Sequence, residues 1–157
     1  MSTHPPTYAS LDEQPTPVRV RLAAAWTSFM FLYAYVDILN FYTPGVVQDI
    51  LDGRVFEFDL SQTFSTSALA LVAVPGLMVV MSVVLPARAN RITTLVVAAV
   101  YVPVTAFNGV GESWKLFYGL GIVLELGLLA LIVRSAWTWP RTTSTTAATP
   151  VPVSSRT

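Results

Sequence analysis

A nearly unbroken apolar run over residues 21–42 constrains the fold of this chain more than any other stretch. At about 1.5 Å per residue, a helix of this length crosses a bilayer core of about 30 Å. Tyr33, Asp37 and Asn40 interrupt the run at spacings of four and three, so they share one helix face. A carboxylic acid inside a span is costly unless protein or water surrounds it. This face is therefore predicted to point into a bundle.

Three further apolar stretches have similar lengths. Only 11% of the residues are charged, against about 25% in soluble domains. We therefore expect an all-α membrane protein, a bundle of four transmembrane helices in a lipid bilayer, with spans at about 20–42, 62–85, 92–110 and 114–137. The membrane domain covers 19–139, and the Pro-, Ser- and Thr-rich segments 1–18 and 140–157 are expected to be disordered cytoplasmic tails.

Missing residue types exclude several classes of function. The chain has no cysteine and a single histidine, His4, which removes disulfides, thiolate metal sites and the usual axial ligands of haem. With no core lysine either, we expect no catalytic residues, no metal and no cofactor, and an enzyme is less favoured than a non-enzyme. The net charge of zero gives no indication of nucleic-acid binding. No signal peptide is expected, because the first apolar run is too long and follows a polar tail.

The connector between the first two spans has a pattern of its own. Thr43 is predicted to cap a short helix with Pro44 at its first position. One face of this helix is apolar, which favours a position flat on the membrane surface; it consists of Val46, Val47, Ile50 and Leu51. Residues 54–60 partly alternate and predict an extended return segment. The connector has two interpretations, a plain interfacial link, which we favour, or a lid over an outward cavity.

The later spans carry one polar seam and one isolated acid. Pro75 predicts a kink in span two, and residues 86–91 predict a tight basic turn before a helix from Ile92. In span three a single face is predicted from spacings of four, three, four and three; it holds Thr94, Ala98, Tyr101, Thr105 and Asn108. Glu125 lies near the middle of span four without a basic neighbour. We expect it to be protonated and hydrogen-bonded to Tyr33, Tyr101, Thr105 or a backbone oxygen.

The arginines indicate an orientation. With four spans, one side of the membrane holds Arg19, Arg21, Arg88, Arg91, Arg134 and Arg141, and the other holds Arg54 and Lys115. Basic residues accumulate on the cytoplasmic side. We therefore expect a bacterial plasma (inner) membrane protein with both termini in the cytoplasm and the connector facing outward.

Seven polar residues form the candidate site, a path that enters from outside and stops mid-membrane: Tyr33, Asp37, Asn40, Tyr101, Thr105, Asn108 and Glu125. The favoured hypothesis is a small transporter-like or ligand-binding bundle with an outward-facing pocket around Asp37 and Glu125, for a small molecule, proton or cation. The alternative is a non-catalytic accessory or assembly subunit that packs against another membrane protein or against further copies of itself.

Several short motifs resemble one known family. They are the run 32–37 (LYAYVD) followed by Pro44 and Gly53, the segment 88–91 (RANR), and Phe117-Tyr118 followed by Glu125 and 136–139 (AWTW). Over residues 19–139 the chain resembles an uncharacterised family of small four-helix bacterial integral membrane proteins, a domain of unknown function. The resemblance implies the four-span fold and no particular activity.

Overall fold

The computed structural model of the protein describes residues 15–109 and 114–140. These residues form the helices α1 (Val18–Asn40), α2 (Val46–Leu51), α3 (Gln62–Val84), α4 (Ala87–Phe107) and α5 (Lys115–Trp137). A small antiparallel hairpin between α2 and α3 consists of β1 (Arg54–Val55) and β2 (Phe58–Asp59). The disorder predicted for the tails concerns mainly residues 1–14 and 141–157, which lie outside the described residues.

The four long helices are each long and apolar enough to cross a membrane. This confirms the predicted all-α bundle of four transmembrane helices and identifies a multi-pass membrane protein. Helix α1 packs closely against α3 and α5, while α4 packs mainly against α5. Helices α1 and α4 therefore lie diagonally opposite and meet across the centre through side chains. Phe29 of α1 and Tyr101 of α4 meet there edge to face, with 5.7 Å between ring centroids.

The polar seam of α4 faces the bundle interior, as its spacing predicted. Thr94, Ala98, Tyr101 and Thr105 are all buried. The rest of the core is apolar and aromatic, with Trp26 and Phe29 of α1, Met78 of α3, and Leu129 and Ile132 of α5. Because the outer faces of the helices are apolar as well, only the interior of the bundle can shelter polar groups from lipid.

Tyr101 repairs a gap that Pro75 leaves in α3. Proline has no backbone N–H, so the carbonyl four residues earlier in the helix, that of Leu71, loses its usual donor. The Tyr101 hydroxyl donates a hydrogen bond to the Leu71 oxygen. A side chain of a diagonal or neighbouring helix is a common way to satisfy such a carbonyl inside a membrane.

The segment 86–91 differs from its prediction. The expected basic turn is helical, since α4 begins at Ala87 and not at Ile92. Pro86 forces Leu85 into an extended conformation and so ends α3 at Val84. Alanine and arginine are good helix formers, and they extend α4 by a turn at its start.

Helix α2 confirms the short interfacial helix, but it starts later than expected. Its N-cap is Gly45, with φ at +95°, a conformation that glycine adopts without strain. Thr43 is therefore not the cap, and its buried hydroxyl has no hydrogen-bond partner among the described residues. Ile50 is half-buried against the protein, whereas Val47 and Leu51 are exposed. Only a membrane surface would shield these two side chains.

Candidate functional site

A cavity of about 200 Å³ opens where the hairpin meets the ends of the long helices. We call this end of the molecule the hairpin end; it comprises α2, β1, β2, the last turns of α1 and α4, and the first turns of α3 and α5. The polar walls of the hairpin-end cavity are Asp37 and Asn40 of α1 and Asn108, which caps α4. Three of the seven predicted site residues are thus brought together here.

Among the residues that the structure describes, Asp37 is the only acid in the wall of this cavity. Its side chain is exposed to the opening, and no cationic side chain of the described residues pairs with it. Nearby, Asn40 Oδ1 is buried without a hydrogen-bond partner within the described part of the chain. The cavity therefore offers the Asp37 carboxylate, an acceptor, to whatever occupies it, whereas the Asn40 oxygen is buried behind the wall.

Aromatic rings form most of the remaining wall of the cavity. They are Phe56 and Phe58 of the hairpin, Phe64 of α3, Phe107 of α4 and Tyr118 of α5. Phe58 stacks on Phe64 at 5.9 Å between centroids with an interplanar angle of 27°. Phe56 has a φ of +54°, a left-handed conformation that favours glycine. Phe56 is the first of the two residues that connect β1 to β2, a position at which hairpin turns of this length require a positive φ.

The bundle closes immediately beneath the cavity. Asn108 Nδ2 donates a hydrogen bond of 3.2 Å to the hydroxyl of Tyr33, which is buried in the core. Phe29 lies below Tyr33, with 6.1 Å between the two ring centroids, and Tyr101 packs edge to face against Phe29. These three rings fill the centre of the bundle at this level.

Glu125 lies in the helix contacts and not in the cavity wall. It is 3% exposed, and it lies within electrostatic range of Asp37. Its carboxyl faces the Thr105 hydroxyl, but neither Thr105 Oγ1 nor Glu125 Oε2 has a hydrogen bond of normal geometry in the described part of the chain. Of its three predicted side-chain partners Thr105 faces it. The Tyr101 hydroxyl donates to the Leu71 carbonyl instead, and the Tyr33 hydroxyl accepts from Asn108.

The seven candidate residues therefore fall into two layers. Asp37, Asn40 and Asn108 line the cavity. The other four are buried among the helices: Tyr33, Tyr101, Thr105 and Glu125. The bond from Asn108 to Tyr33 is the link between the layers. The continuous path that the sequence predicted is thus divided into an open pocket and a closed polar interior.

Residues 15–146 match the family described as "Family of unknown function (DUF6326)". The chain belongs to this family. The match confirms the resemblance to an uncharacterised family and covers the whole of the DUF6326 bundle described above. No curated protein and no solved structure matches the chain. Because the DUF6326 family has no assigned activity, any function has to be argued from the geometry of this cavity.

The aromatic wall was not identified from the sequence of this DUF6326 member. Phe56 and Phe58 alternate in the segment 54–60, which was interpreted only as an extended return. Two exposed rings in a loop outside the predicted spans are a signal of binding that could have been used. Phe64, Phe107 and Tyr118 are ordinary members of apolar spans, and only the folded hairpin brings them into one wall.

The cavity presents one carboxylate beside several aromatic ring faces. No group of three His, Cys, Asp or Glu side chains suited to a metal ion occurs within residues 15–109 and 114–140. One carboxylate balances one positive charge, and ring faces attract cations through their quadrupoles. A neutral apolar ligand would leave Asp37 desolvated and unpaired, which costs free energy.

Proposed function

We propose that this protein binds a small organic cation, an amine or quaternary ammonium compound, in the hairpin-end cavity. The single observation that carries the proposal is Asp37, a carboxylate without a counter-charge among the described residues, in a cavity whose other walls are mostly aromatic. Cages of this composition are a known solution for quaternary ammonium groups, and each ring adds roughly 0.5–2 kcal/mol.

The size of the cavity limits the ligand. A volume of about 200 Å³ is below the range of about 300–1,000 Å³ that is typical of sites for drug-sized molecules. We therefore expect a compact ligand whose cationic group lies beside Asp37 and whose alkyl groups contact Phe58 and Phe64. Asn40 and Asn108 can accept and donate hydrogen bonds to a hydroxyl or ammonium group at the same opening.

The proposal is for binding, not for transport through the bundle. Tyr33, Phe29 and Tyr101 occupy the centre directly below the cavity, so a ligand would have to displace packed rings to go further. Glu125 then belongs to the closed interior of the bundle, and Asp37 is the acid that a ligand contacts. The accessory-subunit alternative requires no ligand at all, so it is the interpretation that would remain if no cation binds.

Choline and its uncharged isostere 3,3-dimethyl-1-butanol test the proposal directly. Binding to the purified chain in detergent would be measured by isothermal titration calorimetry. We expect choline to bind at least tenfold more tightly than the isostere, and Asp37→Asn to remove this preference because the charge partner is lost. A tenfold ratio corresponds to about 1.4 kcal/mol.

Asp59→Asn is the matched control for this experiment. Asp59 is an exposed acid on β2 that does not line the cavity, so its loss changes net charge by the same amount. Choline affinity should be unchanged in this variant. Equal binding of choline and the isostere, or equal losses in the two variants, would contradict the proposal.

We further propose that the hairpin end faces outward from a bacterial plasma membrane, with both termini cytoplasmic. The bias of arginine toward the opposite end supports this orientation. In intact cells, a membrane-impermeant thiol reagent should label Asp52→Cys and leave Ala87→Cys unlabelled. Ala87→Cys must react once the cells are permeabilised. Labelling of Ala87→Cys in intact cells would reverse the orientation.

A further inference from the structure

A second hollow lies at the opposite end of the bundle, between α1 and α5. It has a volume of about 310 Å³. We call this end, which carries Arg19, Arg21, Arg88, Arg91 and Arg134, the arginine end, and the hollow the arginine-end groove. Small side chains, Ala24 and Ser28 on α1 and Ser135 on α5, leave the space between the two helices open.

Of the described residues, two arginines and no acid line this groove. Neither Arg21 nor Arg134 forms an ion pair within the described residues, and both are exposed. Other arginines at this end are engaged differently. Arg19 donates a hydrogen bond to the carbonyl of Val83, and the guanidinium of Arg91 lies 5.6 Å from the centre of the Trp137 ring. Arg21 and Arg134 thus have donors available to a ligand in the groove.

Hydroxyl groups complete the polar half of the groove. Ser28 and Ser135 line it and make no hydrogen bond with other described residues. Thr138 lines it as well, and its hydroxyl donates to the Arg134 carbonyl over 2.8 Å. Two guanidinium groups with neighbouring hydroxyls are a donor set suited to the oxygens of a phosphate group.

The groove is polar at its mouth and, apart from Ser28, apolar further along the helices. Arg21 belongs to the first turn of α1 and Arg134 to the last turn of α5, so both lie at the depth of lipid headgroups. Ala24 and Leu131 lie about one turn deeper in the wall, and Leu128 lies nearly two turns deeper. A free phosphate ion would not contact the apolar part of the groove, whereas a phospholipid would occupy both parts at once.

We propose that the arginine-end groove binds an anionic phospholipid, with its phosphate between Arg21 and Arg134 and one acyl chain along the apolar wall. Basic pockets between transmembrane helices are a recognised way to hold anionic headgroups. The lipid would link the first and last spans of the bundle from outside. This site is independent of the proposed cation site, which lies at the other end.

Native mass spectrometry of the full chain in detergent tests the proposal. Phosphatidylglycerol and phosphatidylcholine of identical acyl chains would be added in turn, together with inorganic phosphate in a separate arm. We expect phosphatidylglycerol to be retained at least tenfold more tightly than phosphatidylcholine. Arg21→Gln and Arg134→Gln should each lower this retention at least fivefold, since each removes a pair of donors.

Arg88→Gln is the control for a general effect of positive charge. Arg88 is exposed on the first turn of α4 at the same end and does not line the groove, so its loss should leave retention unchanged. Equal losses for all three variants would show a diffuse surface attraction and overturn the proposal. Ala24→Phe changes no charge but fills the groove, and it should reduce lipid retention as well.

Two further arms separate the lipid from other partners of the arginines. If inorganic phosphate were retained as tightly as phosphatidylglycerol, the groove would be a phosphate-ion site and the lipid proposal would fail. The acids Asp12 and Glu13 precede α1 in the sequence. The effect of Arg21→Gln should persist in a chain that carries Asp12→Asn and Glu13→Gln. Its disappearance there would mean that the arginine pairs with the chain itself.

Discussion

Two buried polar clusters lie on the same face of α4, and they differ in how completely they are hydrogen-bonded. At the arginine end, Asn90 Nδ2 donates a hydrogen bond of 2.6 Å to the Ser82 carbonyl. Asn90 Oδ1 accepts a hydrogen bond of 3.2 Å from the Thr94 hydroxyl. Three turns further on, Thr105 faces Glu125 without a normal hydrogen bond. We call these the Asn90 cluster (Ser82, Asn90, Thr94) and the Glu125 cluster (Thr105, Glu125).

This difference indicates different roles for the two clusters. The Asn90 cluster joins helices, whereas the Glu125 cluster keeps polar atoms without hydrogen-bond partners among the described residues. A fully hydrogen-bonded cluster inside a membrane joins helices, and here it ties α4 to α3 just after the shortest connection between spans. Buried polar atoms without partners lower stability and are expected to be few. The Glu125 cluster, which lies below the hairpin-end cavity, is thus the less stabilising of the two.

The largest effect should come from breaking the Asn90 cluster. Asn90→Ala leaves the Ser82 carbonyl and the Thr94 hydroxyl without their partner, and each unsatisfied buried group costs about 1–3 kcal/mol. We expect the free energy of unfolding in detergent to fall by about 2–3 kcal/mol, since the Thr94 hydroxyl can turn to a backbone carbonyl. A loss below about 0.5 kcal/mol would make the two clusters equivalent and remove the distinction.

Tyr101 lies between the two clusters. Removal of its hydroxyl tests whether the hydrogen bond to the Leu71 carbonyl stabilises the fold. Tyr101→Phe should lower the free energy of unfolding by about 1–2 kcal/mol, because the Leu71 carbonyl loses its donor. Pro75→Ala restores a backbone N–H in α3, so in that background Tyr101→Phe should cost little. A double-mutant cycle measures this coupling, and a cost that persisted in the Pro75→Ala background would refute the repair of the proline gap.

A matched pair of substitutions sharpens the comparison within one helix. Thr94→Val removes a hydrogen bond and should cost about 1 kcal/mol, whereas Thr105→Val removes a hydroxyl without one and should cost less than about 0.5 kcal/mol. Both residues are fully buried, so changes in apolar area cancel. The reverse order in chemical unfolding would show that the Thr105 hydroxyl is the better bonded of the two.

The smallest effect on stability is expected for Glu125→Gln. Glutamine keeps the size of the side chain and its hydrogen-bonding capacity, so the free energy of unfolding should change by less than about 0.5 kcal/mol. We expect the buried carboxyl to be protonated. Infrared spectra at neutral pH should then show a protonated carboxyl band that Glu125→Gln removes and Asp37→Asn retains. Absence of this band from the unmodified protein would mean that Glu125 is ionised.

The helices were predictable because the bilayer and the helix period fix them. Spans of about twenty apolar residues define the bundle, and the spacing of Thr94, Tyr101 and Thr105 identified the buried face of α4. The residues at which individual helices begin were harder to predict. The capping role assigned to Thr43 belongs to Gly45, and the basic segment after Pro86 is helical, because helix propensity there exceeds the turn signal.

The candidate site was only partly predictable for a different reason. Polar residues inside a span are rare enough to be noticed singly, so Asp37 and Glu125 were identified at once. Whether they share a cavity depends on how the connector folds back, and a two-residue strand pair leaves little pattern in the sequence. The aromatic wall is composed of residues from α3, α4, α5 and the hairpin, a grouping that no local spacing records.

At Phe56, the stability of the backbone conflicts with the proposed function of the side chain. Its left-handed backbone costs about 1–2 kcal/mol that glycine would not incur, yet glycine would remove a ring from the cavity wall. A chain selected for stability alone would have glycine in place of Phe56. Selection or engineering for heat resistance should therefore favour glycine at this turn and so weaken the proposed cation site.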